Sequence, residues 1–367
     1  MFSNYAAKHP EKASEFKRRF EGRLPEGWEK HLPVFKSTDP SIATRKASSD
    51  VLNALAPHIP ELVGGSADLT PSNLTFWKGA SDFQHSTRGG DYAGRYFRFG
   101  VREHGMAAVM NGLSAYGGLI PFGATFLNFI SYAAGASRLT AVSELQGIYI
   151  MTHDSIGLGE DGPTHQPIET LAMLRATPNT YLVRPADGNE TSAAYHIGLT
   201  HRHAATVISL SRQNITMFAN SSIEKALHGA YVLEDASNPQ VILCATGTEV
   251  SIIHEAAKLL QSHGVAARVV SMPCMEIFEE QSLQYKESVF PAGIPVISCE
   301  AHSTFGWQAY AHASVGMKTF GASGPYQALY TKFGLTSENI ANKAKALIDF
   351  YKSSNTVPAP LMRLSQI

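Results

Sequence analysis

Cysteines and long apolar runs are scarce in this sequence. Its 367 residues include three cysteines, Cys244, Cys274 and Cys299, and no two of them form a C-x-x-C pair. An odd number without such spacing argues against a disulfide framework and suits a reducing cytosol. No window approaches the roughly 18 uninterrupted apolar residues that a membrane helix needs. The sequence therefore predicts a cytoplasmic protein with no membrane partner.

Net charge is nearly absent as well, at −1. Without an excess of one sign there is no long-range field to attract nucleic acid, so we expect no nucleic-acid partner. The histidines give no metal site, because His302 and His312 lack a third ligand at the usual spacing, and His201 and His203 flank an arginine in a surface arrangement. We therefore predict no metal-ligating residue in this chain.

Apolar strand-like runs alternate with helical segments from Ile42 onward. This alternation predicts an α/β fold of two domains, each a mostly parallel sheet flanked by helices. The predicted divisions are one charged helix and a proline-punctuated linker at 1–40, a first α/β domain at 41–215, a linker at 216–238, a C-terminal α/β domain at 239–352, and a flexible tail at 353–367. In the C-terminal domain, the turn Thr246–Glu249 precedes a helix and favours helix capping, with anion binding as the alternative.

The segment from Thr152 to Pro167 concentrates ionisable groups on a glycine-rich backbone after an apolar strand. Glycine allows close approach of a ligand, and imidazoles exchange protons near neutral pH. The segment therefore predicts a functional site rather than a polar surface loop. It also matches G-x-G-x-x-G at Gly157–Gly162, but two acidic residues inside that turn would repel a diphosphate and the following prolines delay any helix. We reject a dinucleotide site for these reasons.

Glu103 follows a strand and a glycine turn at the start of a predicted helix, facing the carboxyl edge of the sheet. The alternative is that it only complements the helix dipole. The next predicted helix, 126–142, carries Phe126, Phe129 and Tyr132 at i, i+3 and i+6, a stripe that simple core packing would also explain. An aromatic pocket beside a glutamate suits an aminopyrimidine ring, which stacks on one face and hydrogen bonds at a ring nitrogen.

With these residues in view, the chain resembles the transketolase family from about residue 1 to about residue 350. Thiamin-dependent relatives such as deoxyxylulose-phosphate synthase and the pyruvate dehydrogenase beta subunit share the glutamate and the architecture, but not the run Gly-Glu-Asp-Gly-Pro-Thr-His-Gln-Pro at 159–167. The matching motifs occur in the family's order: Gly64–Asn73, Val101–Met106, Thr125–Phe129, Thr152–Pro167, Arg184–Asp187 and Leu210–Asn214.

The resemblance implies a cofactor and the residues that hold it. The first domain would bind the pyrimidine end of thiamin diphosphate. Glu103 would be catalytic, hydrogen bonding the aminopyrimidine and stabilising its imino tautomer, whose nitrogen removes the proton from the thiazolium C2. Phe129, helped by Phe126 and Tyr132, would hold the ring, and Asp68 would lie near the cofactor.

The resemblance also implies a sugar-phosphate site. Arg45, Ser72, His153 and Arg212 match positions that grip the phosphate, since guanidinium forks bind phosphate oxygens in bidentate fashion. Asp161 and His165 match positions that contact the acceptor's hydroxyls, and His153 and His165 are catalytic candidates because imidazoles shuttle protons. The alternatives are that Arg45 is a solvated helix residue and that Arg212 is a surface charge.

Family members also bind the cofactor's diphosphate through Mg²⁺ or Ca²⁺, with a Gly-Asp-Gly motif in a preceding domain. That motif does not occur here. We therefore expect the metal to be held mainly by another module, in a homodimer or in a complex with a diphosphate-binding subunit. The expected activity is transfer of a two-carbon ketol unit between sugar phosphates, as in the pentose phosphate pathway. The alternatives are a truncated, non-catalytic protein that pairs with full-length enzyme, and a dihydroxyacetone synthase-like enzyme.

Overall fold

The computed structural model describes residues 1–354 and 356–359. Most of the tail predicted at 353–367 lies outside the described residues. The N-terminal segment forms two helices, α1 (Phe2–Lys8) and α2 (Pro10–Phe20), where the sequence predicted one. The division falls at His9 because Pro10 has no backbone N–H to continue the first helix, yet fits the first turn of the second.

The first α/β unit contains a six-stranded sheet with helices on both faces. Short 3-10 helices lie at Trp28–His31, Ser86–Arg88, Leu127–Ala133 and Ile156–Leu158. The remaining elements, in chain order, are β1 (Ile42–Ala43), α3 (Thr44–Leu55), β2 (Leu62–Ser66), α4 (Thr70–Asn73), β3 (Tyr96–Arg98), α5 (Glu103–Tyr116), β4 (Ile120–Phe126), α6 (Ala134–Val142), β5 (Gly147–Thr152), α7 (Thr170–Arg175), β6 (Thr180–Val183), α8 (Gly188–Thr200), β7 (Ala205–Leu210) and β8 (Asn214–Ile215).

The strand order in this sheet is β3-β2-β4-β5-β7-β6, and all pairs are parallel. β1 and β8 form a separate antiparallel pair, Ile42 opposite Ile215. Every residue of β2, β4, β5 and β7 is buried, as expected for strands covered by helices on both faces. The parallel direction brings the carboxyl ends of all six strands to one edge.

The predicted helix at 126–142 is wrong in its first half. Phe126 ends β4, residues Leu127–Ala133 form a 3-10 helix, and α6 starts only at Ala134. Three residues per turn places positions i, i+3 and i+6 on one line. The aromatic stripe therefore keeps its common face although it does not lie on an α-helix.

The second α/β unit contains a five-stranded sheet in the order β13-β12-β10-β11-β9. Only the β9–β11 pair is antiparallel. Strand β9 lies in the segment 216–238 that the sequence predicted as a linker. The elements are α9 (Ile223–Ala226), β9 (Tyr231–Glu234), β10 (Val241–Ala245), α10 (Glu249–Ser262), β11 (Ala267–Ser271), α11 (Met275–Glu279), α12 (Leu283–Val289), β12 (Val296–Ser303), a 3-10 turn Trp307–Ala309, β13 (Ala313–Met317), α13 (Tyr326–Lys332) and α14 (Ser337–Ser354).

Apolar cores form on both faces of each sheet. One core crosses the boundary between the units, since Ile156, Ile168 and Ala186 pack with residues of the second sheet such as Leu243 and Val250. In the described part of the chain, no helix has the length and apolar character that crossing a bilayer requires. The predicted α/β class with two mostly parallel sheets is confirmed.

Candidate functional site

The carboxyl edge of the six-stranded sheet gathers the predicted site residues. Asp68 follows β2, Phe126 ends β4, His153 follows β5, and Arg212 follows β7. Because all six strands are parallel, residues far apart in sequence lie along the same edge. Glu103 comes from the helix after the edge strand β3, whereas β7 lies next to the opposite edge strand, β6.

Glu103 occupies the first turn of α5 and is 8% exposed. No side chain within residues 1–354 and 356–359 forms a hydrogen bond or an ion pair with its carboxylate. Helix α5 is fixed against α6 by Asn111, whose Nδ2 donates to the Ala136 carbonyl at 2.9 Å. A nearly buried carboxylate that has no side-chain partner in the described part of the chain is a group available to a ligand.

The aromatic side chains form a stacked row next to two histidines. Phe126 stacks on His153 with ring centroids 3.6 Å apart, and Phe129 lies 5.8 Å from Phe126. Phe129 also meets the edge of His165 at 5.2 Å and continues to Tyr132 at 5.6 Å. Tyr132 is 65% exposed, whereas Phe126 is buried. The row thus runs from the protein interior to the surface.

A directional hydrogen-bond chain fixes the His153 ring. The Thr152 hydroxyl donates to Asn73 Oδ1 at 2.6 Å, so its oxygen must accept from His153 Nδ1, 2.8 Å away. Asn73 Nδ2 in turn donates to Ser66 Oγ at 2.9 Å, and Ser66 donates to the Ala124 carbonyl. The proton of the neutral imidazole is therefore on Nδ1, and Nε2 is left as an acceptor.

The guanidiniums of Arg45 and Arg212 lie near this ring. Arg45 Nη1 donates to the Ser72 carbonyl, and Arg212 Nη1 donates to the Leu158 carbonyl, both at 2.9 Å. Neither arginine pairs with a carboxylate in the described part of the chain. Two cations that converge without a protein anion make a site for an acidic ligand.

The pKa values of this cluster reflect the same crowding. Burial, together with the charges of Arg45 and Arg212 and nearby His165, lowers the pKa of His153 to about 3. Burial also lowers the pKa of Arg45, with the Arg212 charge as the second cause. The cluster therefore carries excess positive charge, and His153 is neutral at neutral pH.

Asp161 and His165 lie on the loop between β5 and α7. Asp161 is exposed and His165 is half-buried, with Nδ1 2.9 Å from the Thr164 hydroxyl. Gly159 and Gly162 have φ of 89° and 79°, left-handed values that favour glycine. No α-helix begins within this glycine-rich run, since α7 starts only at Thr170.

Two of the predicted site residues, Asp68 and Ser72, form no side-chain hydrogen bond with the cluster around His153 in the described part of the chain. Asp68 is exposed on the loop after β2 with φ 61°, and Ser72 contributes only its backbone carbonyl, to Arg45. The sequence missed Thr152 and Asn73, which orient His153. Both lie inside the quoted motifs, but a chain of hydrogen bonds is visible only when β2, α4 and β5 are brought together. No group of three or more potential metal ligands occurs among the described residues.

The capping interpretation of Thr246–Glu249 is wrong. Thr248 precedes α10 with helical backbone angles, and no side-chain capping bond is formed there. Glu249 is instead fully buried and receives a hydrogen bond from Arg184 of the first unit. The turn therefore joins the two units, a function that only the tertiary structure reveals.

Two family models match the chain in succession. Residues 40–217 match the model described as transketolase, pyrimidine binding domain, and residues 229–336 match the transketolase-like C-terminal domain. A probable transketolase of Schizosaccharomyces pombe is 53% identical over 365 residues, which cover 99% of this chain and 53% of that protein. The chain spans about half the length of the curated relatives it matches.

Solved structures agree with these matches. A transketolase of Pichia stipitis, in complex with sedoheptulose 7-phosphate, superposes with a TM-score of 0.96 at 51% identity, covering 98% of this chain and 53% of that chain. A protein described as a split gene transketolase, inactive beta4 tetramer, superposes with a TM-score of 0.66 at 27% identity. The aligned region covers 84% of this chain and 99% of the split gene protein.

Proposed function

The chain belongs to the transketolase family, and from that premise we propose that it takes part in the thiamin diphosphate-dependent transfer of a two-carbon ketol unit from a ketose phosphate to an aldose phosphate. The observation that carries the proposal is the cluster of Arg45, Arg212 and His153, which we call the phosphate pocket; neither arginine pairs with a carboxylate among the described residues. A sugar phosphate supplies the anion that such a pocket lacks. The Pichia stipitis relative was solved with a ketose phosphate.

The residues present fit the pyrimidine end of thiamin diphosphate. When bound, this cofactor supplies a nucleophilic carbon and an electron sink for breaking the bond next to the ketose carbonyl. Glu103 is nearly buried and has no side-chain partner among the described residues, and it would hold a proton at a ring nitrogen. Phe126 and Phe129, with Tyr132 at the mouth, would stack on the ring and exclude water, and Asp68 would border the cofactor.

The substrate's ends would be held by different groups. Arg45, Arg212 and His153, with Ser72 beside them, would bind the phosphate and set its distance from the reacting carbon. Asp161 would accept hydrogen bonds from sugar hydroxyls, and His165, at the edge of Phe129, would donate or accept a proton there. Positioning both ends favours reaction because it removes orientational freedom before the bond breaks.

A diphosphate-binding module would complete the site. Mg²⁺ or Ca²⁺ would be held mainly by that module. The split gene transketolase supports a two-polypeptide arrangement, because nearly all of that chain aligns with this one. We propose a cytoplasmic complex, as a homodimer or with a diphosphate-binding subunit.

Reconstitution tests this proposal. The chain is mixed with a transketolase diphosphate-binding module, thiamin diphosphate and Mg²⁺, and turnover of xylulose 5-phosphate with ribose 5-phosphate is followed. Glu103→Gln should lower kcat by on the order of 100-fold or more, since the amide cannot hold the proton. Glu11→Gln, on an exposed face of α2, is the matched control and should retain full rate. Unchanged kcat in Glu103→Gln refutes the assigned role of the glutamate.

A non-catalytic protein that pairs with full-length enzyme is the second candidate. The description of the split gene relative as an inactive tetramer favours it. Native mass measurement and thiamin content distinguish the two proposals. A chain recovered only with full-length enzyme and free of thiamin supports the second candidate, whereas thiamin-dependent turnover in the reconstituted mixture supports the first.

A dihydroxyacetone synthase-like enzyme, with formaldehyde as acceptor, is the remaining alternative. Formaldehyde has no phosphate to occupy the pocket of Arg45 and Arg212. We therefore propose aldose phosphates as acceptors. A higher kcat/KM for formaldehyde than for ribose 5-phosphate in the reconstituted mixture contradicts this choice.

A further inference from the structure

We propose that the C-terminal unit is a positioning module for the phosphate pocket, holding the site loop, residues 152–168, through a set of cross-unit contacts that we call the brace. The brace consists of the Asp154–Arg184–Glu249 ion-pair chain, the Arg175–Glu300 ion pair, and three hydrogen bonds to the loop. This inference rests on the proposed function, because it concerns how that pocket is kept in shape. No ligand-binding role is assigned to the C-terminal unit itself.

The ion-pair chain starts at the residue next to His153. Arg184 Nε donates to Asp154 Oδ2 at 2.9 Å, and Arg184 Nη1 donates both to Glu249 Oε2 and to the Thr246 carbonyl. The side chains of Asp154, Arg184 and Glu249 are at most 2% exposed. Charges this deeply buried must stay paired, since leaving one without its partner costs several kcal/mol. The backbone beside His153 is thereby tied to the start of α10.

Glu249 is itself held on all sides by the C-terminal unit. Its Oε2 also accepts from the Ala301 backbone N–H at 3.1 Å, and its Oε1 accepts from the hydroxyls of Tyr330 and Thr248, both at 2.7 Å. Because these donors fix the Glu249 carboxylate, the Arg184 guanidinium that donates to it is held in one orientation. The same guanidinium donates to Asp154 and so fixes the position of that carboxylate too.

The second ion pair secures the far end of the loop. Arg175, at the end of α7, donates through Nη1 and Nη2 to the two carboxylate oxygens of Glu300 at 2.8 and 2.7 Å. Glu300 also accepts from the Thr246 hydroxyl at 2.5 Å. Thr246 therefore joins the two ion pairs in one buried network.

Three hydrogen bonds hold the loop between these points. Ser323 Oγ donates to the Glu160 carbonyl, and Gln166 Nε2 donates to the Ala322 carbonyl at 2.9 Å. The Ser303 N–H donates to the Ile168 carbonyl at 2.8 Å. Each bond crosses from the first unit to the second. The loop that carries Asp161 and His165 is thus anchored to the C-terminal unit along its length.

The pocket needs such support because His153 has an unfavourable backbone. Its φ of 58° is left-handed, a region in which a few per cent of non-glycine residues lie, histidine more often than most. Such strain persists only where the surroundings over-determine it. Loosening the brace therefore favours backbone relaxation at His153, which turns the ring away from Arg45 and Arg212 and lowers the fraction of phosphate-competent protein.

Phosphate affinity is the first measurement. Binding of inorganic phosphate and of ribose 5-phosphate to the full chain is measured by calorimetry in wild type, Glu249→Gln and Tyr330→Phe. We expect Glu249→Gln to weaken both affinities about tenfold, as the competent fraction falls. Tyr330→Phe removes one hydroxyl and keeps the ring, so it should fold and weaken binding about threefold. Glu255→Gln, exposed on the same helix, is the matched control with unchanged affinity.

Two further readouts separate positioning from general destabilisation. Amide hydrogen exchange should quicken at residues 153–166 in Tyr330→Phe while β10 stays protected. In the reconstituted mixture, KM for ribose 5-phosphate should rise about threefold with kcat changed by less than about twofold. Uniformly faster exchange, or a fall in kcat with KM unchanged, overturns the inference.

The outcomes also distinguish this inference from the proposed function. Wild-type affinity in both Glu249→Gln and Tyr330→Phe overturns the brace alone and leaves the phosphate pocket intact. If the unsubstituted chain binds neither ligand, or if Arg212→Ala binds both as well as wild type does, the pocket assignment falls and the inference falls with it. If Glu249→Gln does not fold, the Tyr330→Phe result decides.

Discussion

Phosphate binding should draw a proton onto His153. In the free protein the ring donates from Nδ1 to Thr152, so Nε2 has no proton to offer a phosphate oxygen. Moving the proton to Nε2 would break the bond to Thr152. Protonating Nε2 keeps that bond and gives the anion a charged donor. We expect the second course, because the energies favour it.

The magnitude follows from the His153 pKa and Coulomb's law. Burial, reinforced by Arg45 and Arg212, holds the pKa at about 3, so protonation at about pH 7.5 costs about 6 kcal/mol. A phosphate dianion about 4 Å away, at an effective dielectric constant of about 20, stabilises one positive charge by about 8 kcal/mol. The attraction exceeds the cost. Uptake should therefore approach one proton per bound phosphate.

Calorimetry in buffers of different ionisation enthalpy measures this uptake. Ribose 5-phosphate is titrated at about pH 7.5, above the second phosphate pKa of about 6, so that the ligand itself takes up little. The slope of binding enthalpy against buffer enthalpy gives the number of protons. His153→Asn should abolish the slope and His165→Asn should keep it. A slope of zero in the wild-type chain refutes the protonation of His153.

Three further predictions follow from particular contacts. Arg212→Ala should raise KM for ribose 5-phosphate in the reconstituted mixture by on the order of 10- to 100-fold with little change for formaldehyde, as steady-state kinetics would show. His302 is fully buried, and burial lowers its pKa to about 3. As pH falls below about 6.5, this histidine therefore gains a proton only in the unfolded chain, and the free energy of unfolding decreases until about pH 3. His302→Gln should remove about 2 kcal/mol of that loss at pH 5, and parallel denaturation curves at pH 7 and 5 check it. Gly65→Ala places a Cβ 1.7 Å from the Phe97 carbonyl oxygen and should lower the free energy of unfolding by about 3 kcal/mol. In Gly112→Ala, within α5, the added Cβ has no atom within 4 Å and should raise the free energy of unfolding by about 0.5–1 kcal/mol. Urea denaturation measures both changes.

Many residues of the candidate site could be identified from local sequence motifs. Glu103, the aromatic row and the loop 152–167 were found because each is a dense local pattern, readable over a few residues. Arg45 and Arg212 were assigned only through the family resemblance, since a lone arginine has no local signature. The structure adds that neither has a carboxylate partner among the described residues, a fact that no spacing rule gives. The roles of all these residues stay predictions.

Local pattern failed where distant segments decide the outcome. The aromatics of 126–132 have helical spacing, yet β4 extends to Phe126 because it pairs with β5 as far as Thr152. Thr246–Glu249 has the composition of a helix cap, but Arg184 needs a buried anion and Glu249 supplies it. In both places a tertiary partner outweighs an intrinsic preference of less than a few kcal/mol.

By itself the sequence determined the α/β class, the family and the stretches that carry chemistry, because periodicity and motifs are properties of neighbouring residues. The tertiary structure alone decided the strand order that aligns Glu103, His153 and Arg212, the direction of the hydrogen-bond chain at His153, and the buried ion pairs that join the two units. Those features depend on pairings between residues far apart in the chain, and only the folded backbone fixes such distances.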